Sequence, residues 1–502
     1  MPVALAAPHL AAVAAGERAF AAGGNALDAA LAAAVMLTVV YPHQCAIGGD
    51  LIALVRDPDG ETTAVIAAGT APAAIGDVSG GWESVPRQGA HAVTVPGMVA
   101  GWQAIAARGA VHDLSSALHG AAATAREGAR VSAGLARALE SRTDGILADP
   151  GLSRVFAAEG MPLAEGELFV QPALADTLDR LAADPGDFYT GVTAARLVAA
   201  LQRAGGVHTL ADFAGYAPEE LPALTAEVGG RTWSVAPPPS AGALVPGTVS
   251  GGLDRDGNAD AAALVSAAVR GVAARGAHLG DPRVGPIDVA ALLNLAATAD
   301  TAGRLEARAS GDTASVVAID DEGWAVTIVQ SVYFTFGAGL LDPETGVLFH
   351  NRGSAFTIDA RSPSRLSAGA RPPHTLCPLI VEDASALIVA GCQGGRAQPW
   401  ILAQLFADRC SMTEPLDRLL ARPRWIVGDV DLGFSRLTLA AEHGVEAAAL
   451  EGARAAGVPI AELPPLADVA GHVQLVRRTT GVDSLDAASD PRADGAGVVF
   501  TP

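Results

Sequence analysis

Thr313 stands in the stretch Gly311-Asp312-Thr313-Ala314-Ser315-Val316-Val317-Ala318-Ile319, where a small polar turn leads into an apolar run. If the bond before it were cut, Thr313 would gain a free α-amino group beside its hydroxyl. Such an amine, with a pKa of roughly 7.7 to 8.0, can take the hydroxyl proton near neutral pH, so one residue would hold both nucleophile and base. The chain would then be a proenzyme. A β-branched residue opening a strand is also an ordinary structural event, so the remainder of the chain has to decide between the two meanings.

The elements that would position Thr313 are legible from local pattern. The apolar run predicts a buried strand with Thr313 as its first residue, a turn at Asp321-Glu322-Gly323 and a second strand over 325–333. Toward the N-terminus, 10–22 and 25–40 read as helices separated by Gly23-Gly24. Gly48-Gly49-Asp50 then introduces a strand pair, 51–56 and 62–67, about the turn Asp57-Pro58-Asp59-Gly60. Helices dominate from 98 to about 205, a strand begins at 232–235 before Pro237-Pro238-Pro239-Ser240, and 261–302 reads as helical. Strands return over 379–390, ending in Gly391-Cys392-Gln393-Gly394-Gly395. Helices bracketing strand clusters at both ends fit a layered α+β sandwich with the sheets inside.

Composition excludes several classes. The 502 residues are 50% hydrophobic, enough for a large core, and 33 Lys+Arg against 54 Asp+Glu give a net charge of −21. Such a surface repels nucleic-acid backbones and anionic membranes. The start of the chain is apolar but has no Lys or Arg before Arg18, and the longest apolar run, 29–41, ends at Pro42, so a cytoplasmic protein with a buried helix is expected. Cys45, Cys377, Cys392 and Cys410 have neither disulfide-framework nor metal-ligand spacing and are expected to be reduced core thiols. His9, His43, His91 and His350 share no metal spacing, and Gly48-Gly49-Asp50 lacks the Lys-Ser/Thr of a phosphate loop, so no metal or cofactor is expected.

Ala22-Gly23-Gly24-Asn25-Ala26-Leu27-Asp28-Ala29-Ala30, Pro42-His43-Gln44-Cys45-Ala46-Ile47-Gly48-Gly49-Asp50 and Val95-Pro96-Gly97-Met98-Val99-Ala100-Gly101 occur in that order. They are followed by Asp187-Phe188-Tyr189-Thr190-Gly191, Pro237-Pro238-Pro239-Ser240, Asp312-Thr313, Phe336-Gly337-Ala338-Gly339, Gly394-Gly395 and Ala488-Ser489-Asp490-Pro491-Arg492. In these segments the chain resembles the gamma-glutamyltranspeptidase family of N-terminal-nucleophile hydrolases over nearly its whole length. The resemblance implies a four-layer αββα fold and self-cleavage between Asp312 and Thr313 by an N-to-O acyl shift. Residues 1–312 would form a heavy subunit and 313–502 a light subunit, folded together as one unit, with a homodimer of such pairs left open. The mature Thr313 would attack a small-molecule amide, and the acyl-enzyme would pass its acyl group to water or an amine.

Carried over residue by residue, Thr313 matches the nucleophile, Ser331 a hydroxyl that bonds the nucleophile's terminus, and Gly394 and Gly395 the backbone pair of the oxyanion hole. Recognition positions depart from the family. Ala68 stands where an arginine clamps the substrate α-carboxylate, Ala355 where an aspartate holds its amine, His374-Thr375 where a serine pair is expected and Tyr333 where an asparagine is. These departures resemble a branch of amidohydrolases acting on small acids such as oxamate, related to cephalosporin-acylase-type enzymes. Arg352, His374 and Arg396 become candidates for reading a substrate carboxylate or carbonyl, with Tyr333 and Thr375 beside them. A gamma-glutamyltransferase or glutathione hydrolase with other recognition residues, and a non-catalytic binding or assembly protein, are the competing expectations.

Overall fold

A strand that carries Thr313 near its start lies in the middle of the molecule. The computed structural model describes residues 2–295, 311–428, 433–482 and 484–501. In chain order the strands that build the site are β1 (Val3–Ala7), β2 (Asp50–Arg56), β3 (Thr62–Ala67), β4 (Glu219–Pro222), β5 (Leu224–Val228), β6 (Arg231–Val235), β7 (Gly311–Asp320) and β8 (Ala325–Phe334). They continue with β9 (Leu379–Glu382), β10 (Ala386–Cys392), β11 (Val473–Thr479), β12 (Ser484–Ser489) and β13 (Ala496–Phe500). One sheet runs β13-β1-β7-β8-β2-β3-β4 and the other β12-β11-β10-β9-β6-β5, every neighbour antiparallel. Segments before and after the 312–313 junction contribute strands to both sheets, so neither could close a sheet alone.

The two sheets lie face to face with helices outside, the αββα order. Alternation along β7 shows why: Val316 and Ala318 face the helices, while Val317 and Ile319 face the second sheet. On the inner side they meet Ile380, Leu387, Val389 and Val476. On the outer side lie helices Leu10–Ala21 and Ala26–Val40, the latter buried along its whole length and correspondingly apolar all round. Asn25 caps that helix through Leu27 and Asp28, and Asp320 at the end of β7 accepts from the Ala26 N–H at 3.0 Å, which ties helix start to strand end. A second helical layer, including Leu244–Gly251, Ala261–His278 and Gln398–Phe406, covers the other sheet.

The structure corrects several expectations. Thr313 is not the first residue of its strand, since pairing begins at Gly311 and runs through the 312–313 peptide. The apolar N-terminus forms a strand that the sequence reading did not assign, β1, which bridges β13 and β7 before the helix Leu10–Ala21. The helical expectation over 261–302 fails after His278, where Gly280, Pro282 and Pro286 break the run until the short helix Val289–Leu293; its last part lies outside the described residues. Cys45, Cys377 and Cys392 are core thiols, but Cys410 is exposed.

Near the C-terminus a buried ion network fastens the segment before β11. Asp490 bridges Arg424 and Arg492, and Arg492 also pairs with Glu442. Arg424 donates to the Gly471 carbonyl at 2.8 Å, and the next residue, His472, exchanges backbone hydrogen bonds with Gln393. The network thereby holds the chain just ahead of Gly394. Removing one member leaves buried charge uncompensated, so Asp490→Ala should lower stability by about 3–5 kcal/mol. Equal thermal unfolding midpoints for Asp490→Ala and the unsubstituted protein would refute that role.

Candidate active site

Strand register sets the nucleophile's position. On β7 and β8, Asp312 pairs with Tyr333 and Ala314 with Gln330, so two residues, Ser331 and Val332, oppose Thr313 alone. This bulge coincides with Tyr333 at φ 79°, a backbone conformation uncommon for a residue with a side chain. Thr313 alternates in step with Ser315, Val317 and Ile319, so its side chain belongs to the inter-sheet face. Ser331 and Asp50 share that face, because β8 pairs with β2 with Ser331 opposite Asp50.

The hydroxyls form a directed chain. Thr313 Oγ1 donates to Ser331 Oγ at 3.2 Å, Ser331 Oγ donates to the Asp312 carbonyl at 2.5 Å, and the Tyr333 N–H donates to Ser331 Oγ at 2.8 Å. Both side chains are buried. The chain therefore ends on the carbonyl that Thr313 would attack in an N-to-O shift. In such a shift Thr313 Oγ bonds to the Asp312 carbonyl carbon while its proton passes by way of Ser331 to the carbonyl oxygen. Collapse then passes that proton to the Thr313 nitrogen, breaks the C–N bond and leaves an ester, and water splits that ester into the Asp312 carboxylate and the free Thr313 hydroxyl and amine.

Gly394 and Gly395 follow the end of β10, at φ 154° and 51°. A Cβ on Gly394 would lie 2.5 Å from Ile401 Cδ1, so the turn admits only glycine there. The 3-10 turn Gly395–Ala397 packs on β7, and Gly391 lies against Ser315, two residues on from Thr313 along the same face. The N–H groups of Gly394 and Gly395 donate to nothing among the described residues, as donors reserved for a developing oxyanion would.

Around this core the recognition candidates converge. The Arg352 guanidinium carbon stacks 3.7 Å from the Tyr333 ring centroid, and its Nη2 donates to Thr375 Oγ1 at 3.2 Å. Nη1 of the same guanidinium, and the Tyr333 hydroxyl, are buried without a partner among the described residues. Burial, and the charges of Arg275 and Arg396, lower Arg352 to about 10, still a cation at neutral pH. Arg396 sits half-buried on the turn after Gly395, so it joins the same cationic group.

His374, a candidate for reading a substrate carboxylate or carbonyl, is a neutral ring in this site. Its Nε2 lies 3.1 Å from Asp50 Oδ2, and burial, with the charge of Arg352, pulls its pKa down to about 3, leaving a neutral ring. Asp50 and His350 were missed by sequence reasoning. Burial opposes ionisation of Asp50, but His350 and His374 outweigh it and hold the carboxyl far below the usual range. Asp50 Oδ1 also accepts from the Gly69 and Gly97 N–H groups, each at 3.0 Å. The available signal was a carboxylate heading an otherwise apolar strand. Gly48-Gly49 before it does serve close packing, since a Cβ on Gly49 would lie 2.5 Å from the Ser331 carbonyl.

A family model described as gamma-glutamyltranspeptidase matches residues 12–500. The chain belongs to the gamma-glutamyltranspeptidase family. It is 33% identical to an oxamate amidohydrolase proenzyme of Klebsiella pneumoniae, with 94% of each chain covered. It is 32% identical to a glutathione hydrolase-like proenzyme of Bacillus subtilis, with 84% of each covered. A crystal structure of cephalosporin acylase from Bacillus halodurans superposes with a TM-score of 0.85 at 25% identity, covering 99% of this chain and 95% of that one. Like its family, the chain is an N-terminal-nucleophile enzyme made as one precursor.

The geometry makes two predictions. Denaturing intact mass should find two fragments with Thr313 at the new N-terminus, none for Thr313→Ala, and self-cleavage of Ser331→Ala slowed about 100-fold or more; Ser331→Ala cleaving at the unsubstituted rate would remove Ser331 from the proton path. The second concerns Asp312, whose carboxyl is pushed up to about 7 by burial and by Asp468, against a Thr335 hydrogen bond and the charges of His472 and Arg142. A carboxyl raised above its unfolded value of 3.8 costs stability when ionised, so uncut Thr313→Ala protein should gain stability as pH falls from 8 to 5. Asp312→Asn in that background should flatten the rise in melting temperature, and an unchanged slope would contradict the assignment.

Proposed function

We propose that the chain is a self-processing N-terminal-threonine amidohydrolase whose substrate is the amide of a small carboxylic acid that keeps a free carboxylate. The observation that carries the nucleophile is the hydroxyl chain from Thr313 through Ser331 to the Asp312 carbonyl. Heavy residues 1–312 and light residues 313–502 are the proposed products. In the mature enzyme the Thr313 amine takes the hydroxyl proton, Oγ attacks the amide carbon, and the N–H groups of Gly394 and Gly395 receive the oxyanion. The amide nitrogen leaves protonated and water releases the acid.

Arg352 is the proposed carboxylate reader. Its unpartnered Nη1 is a buried donor on a cation, and Tyr333 and Thr375 fix the plane of the fork. Arg396 adds charge from the side of the oxyanion turn. The gamma-glutamyl alternative needs a carboxylate for the substrate ammonium. Asp50, beside Ser331 in the sheet, is already taken by two backbone N–H groups and two imidazoles, and Ala355 supplies none. That disfavours an amino-acid acyl group. The similarity to the Klebsiella pneumoniae oxamate amidohydrolase proenzyme makes oxamate the first compound to try.

Ammonia release should be measured on oxamate and on longer monoamides of dicarboxylic acids, beside a gamma-glutamyl anilide. Arg352→Met should raise KM for the carboxylate amides about 30-fold or more, as expected for a lost charge-assisted pair, while the precursor still cleaves itself. Rapid turnover of the anilide with no turnover of any carboxylate amide would overturn the proposal in favour of a gamma-glutamyl enzyme.

A further inference from the structure

We infer that His374 is a specificity residue whose Nδ1 accepts a hydrogen bond from the N–H of the scissile amide, which selects primary amides over esters of the same acid. The inference rests on the reading of the site as an amidohydrolase. It starts from the proton count on the ring. Asp50 Oδ1 is occupied by Gly69 N–H and Gly97 N–H, and Oδ2 meets His374 Nε2 at 3.1 Å and His350 Nδ1 at 3.4 Å. A carboxylate so placed can only accept, so His374 Nε2 carries the hydrogen. In the neutral ring Nδ1 is then a bare acceptor.

That acceptor is buried and has no partner among the described residues. An unsatisfied buried polar atom costs on the order of 1–3 kcal/mol, so its persistence asks for a ligand. The ring cannot swing to find one within the protein. His374 N–H donates to the Pro239 carbonyl at 2.7 Å, its own carbonyl accepts from Ala241 N–H at 2.9 Å, and Nε2 is held by Asp50. The dyad also lies on the sheet face that carries Thr313. Thr313, Ser331 and Asp50 follow one another across three paired strands on one face, and His374 stands on Asp50. Next to it, Thr375 fixes Arg352, whose Nη1 is a donor without an acceptor.

An occupant must therefore bring an anionic acceptor for Arg352 and a donor for His374. A short monoamide with a free carboxylate brings both. Each N–H of a primary amide is a donor, and engaging one of them at His374 turns the nitrogen so that its developing lone pair stays open to the Thr313 ammonium. An ester of the same acid keeps the carboxylate but offers His374 no hydrogen. Asp50 is a positioning residue in this scheme, since it sets which ring nitrogen holds the proton.

The test compares oxamate, or the best monoamide found, with the methyl ester of the same acid on the self-cleaved enzyme. His374→Gln keeps a side-chain N–H for Asp50 but places no acceptor at the Nδ1 position, so kcat/KM should fall about tenfold or more for the amide and stay within about threefold for the ester. His374→Asn, which returns an oxygen near Nδ1, should recover part of the amide rate. Asp50→Asn should mimic His374→Gln, because its amide would donate to Nε2 and move the ring hydrogen to Nδ1. Amide and ester rates falling together, or neither falling, would overturn the inference while leaving the amidohydrolase reading in place. Unsubstituted enzyme that cleaves neither compound would overturn both. Arg352→Met, by contrast, should slow amide and ester alike.

Discussion

Everything at the site depends on how β8 passes β7. A regular ladder would set one residue opposite Thr313, but the bulge sets two, and the backbone reversal at Tyr333 that accompanies it brings the Tyr333 N–H onto Ser331 Oγ. Ser331 Oγ then accepts from Thr313 and from that N–H, and its single hydrogen has one place to go, the Asp312 carbonyl. The uncommon φ at Tyr333 is a cost that the surrounding pairing must sustain. Asn351 does so, donating to the Val332 carbonyl through its backbone and accepting from Phe334 N–H through its side chain.

The sandwich explains why this works in a buried place. Thr313 lies on the face where two sheets meet, so the opposing sheet can deliver a backbone turn to it at the end of β10. Gly391 is pressed against Ser315, and Gln393 is locked by His472, which the ion network behind Arg424 fixes in turn. The Gly394-Gly395 turn is thus held by two rigid neighbours, and the oxyanion role proposed for it would need little reorganisation. Both precursor segments supply strands to each sheet, so cutting the 312–313 bond need not loosen the fold.

How much of this was written in the sequence differs by feature, for physical reasons. The helices 10–22 and 25–40 and the early hairpin were legible because caps, glycines and periodicity agree, and the structure places them within a residue or two. Strand β1 was not, since five residues of Val, Ala and Leu carry no period that separates strand from helix, and its identity is set by its partners β7 and β13. The long helical expectation ignored prolines whose local veto outweighs alanine propensity. The strand after Thr313 was legible, but its start at Gly311 was not, because Gly311 and Asp312 look like a turn until pairing with Tyr333 and Phe334 extends them.

Recognition was legible only as a set of losses, and the structure shows why gains are harder to see. Ala68 follows the end of β3 beside Asp50, buried in the inter-sheet core, so a charge for the substrate would have to come from elsewhere. The proposed source is Arg352, on a turn far along the chain, held by Tyr333 and Thr375. No spacing rule links these positions, because they meet through tertiary contact alone. Thr313, Ser331 and the Gly394-Gly395 turn are fixed by strand register and backbone shape, so they must keep their places in the chain. A side chain that only supplies a charge can come from any element that reaches the cleft. Candidate catalytic residues are therefore readable from order and spacing, whereas the linkage of Asp50, His350 and His374 shows only when their atoms' partners are counted in the folded protein.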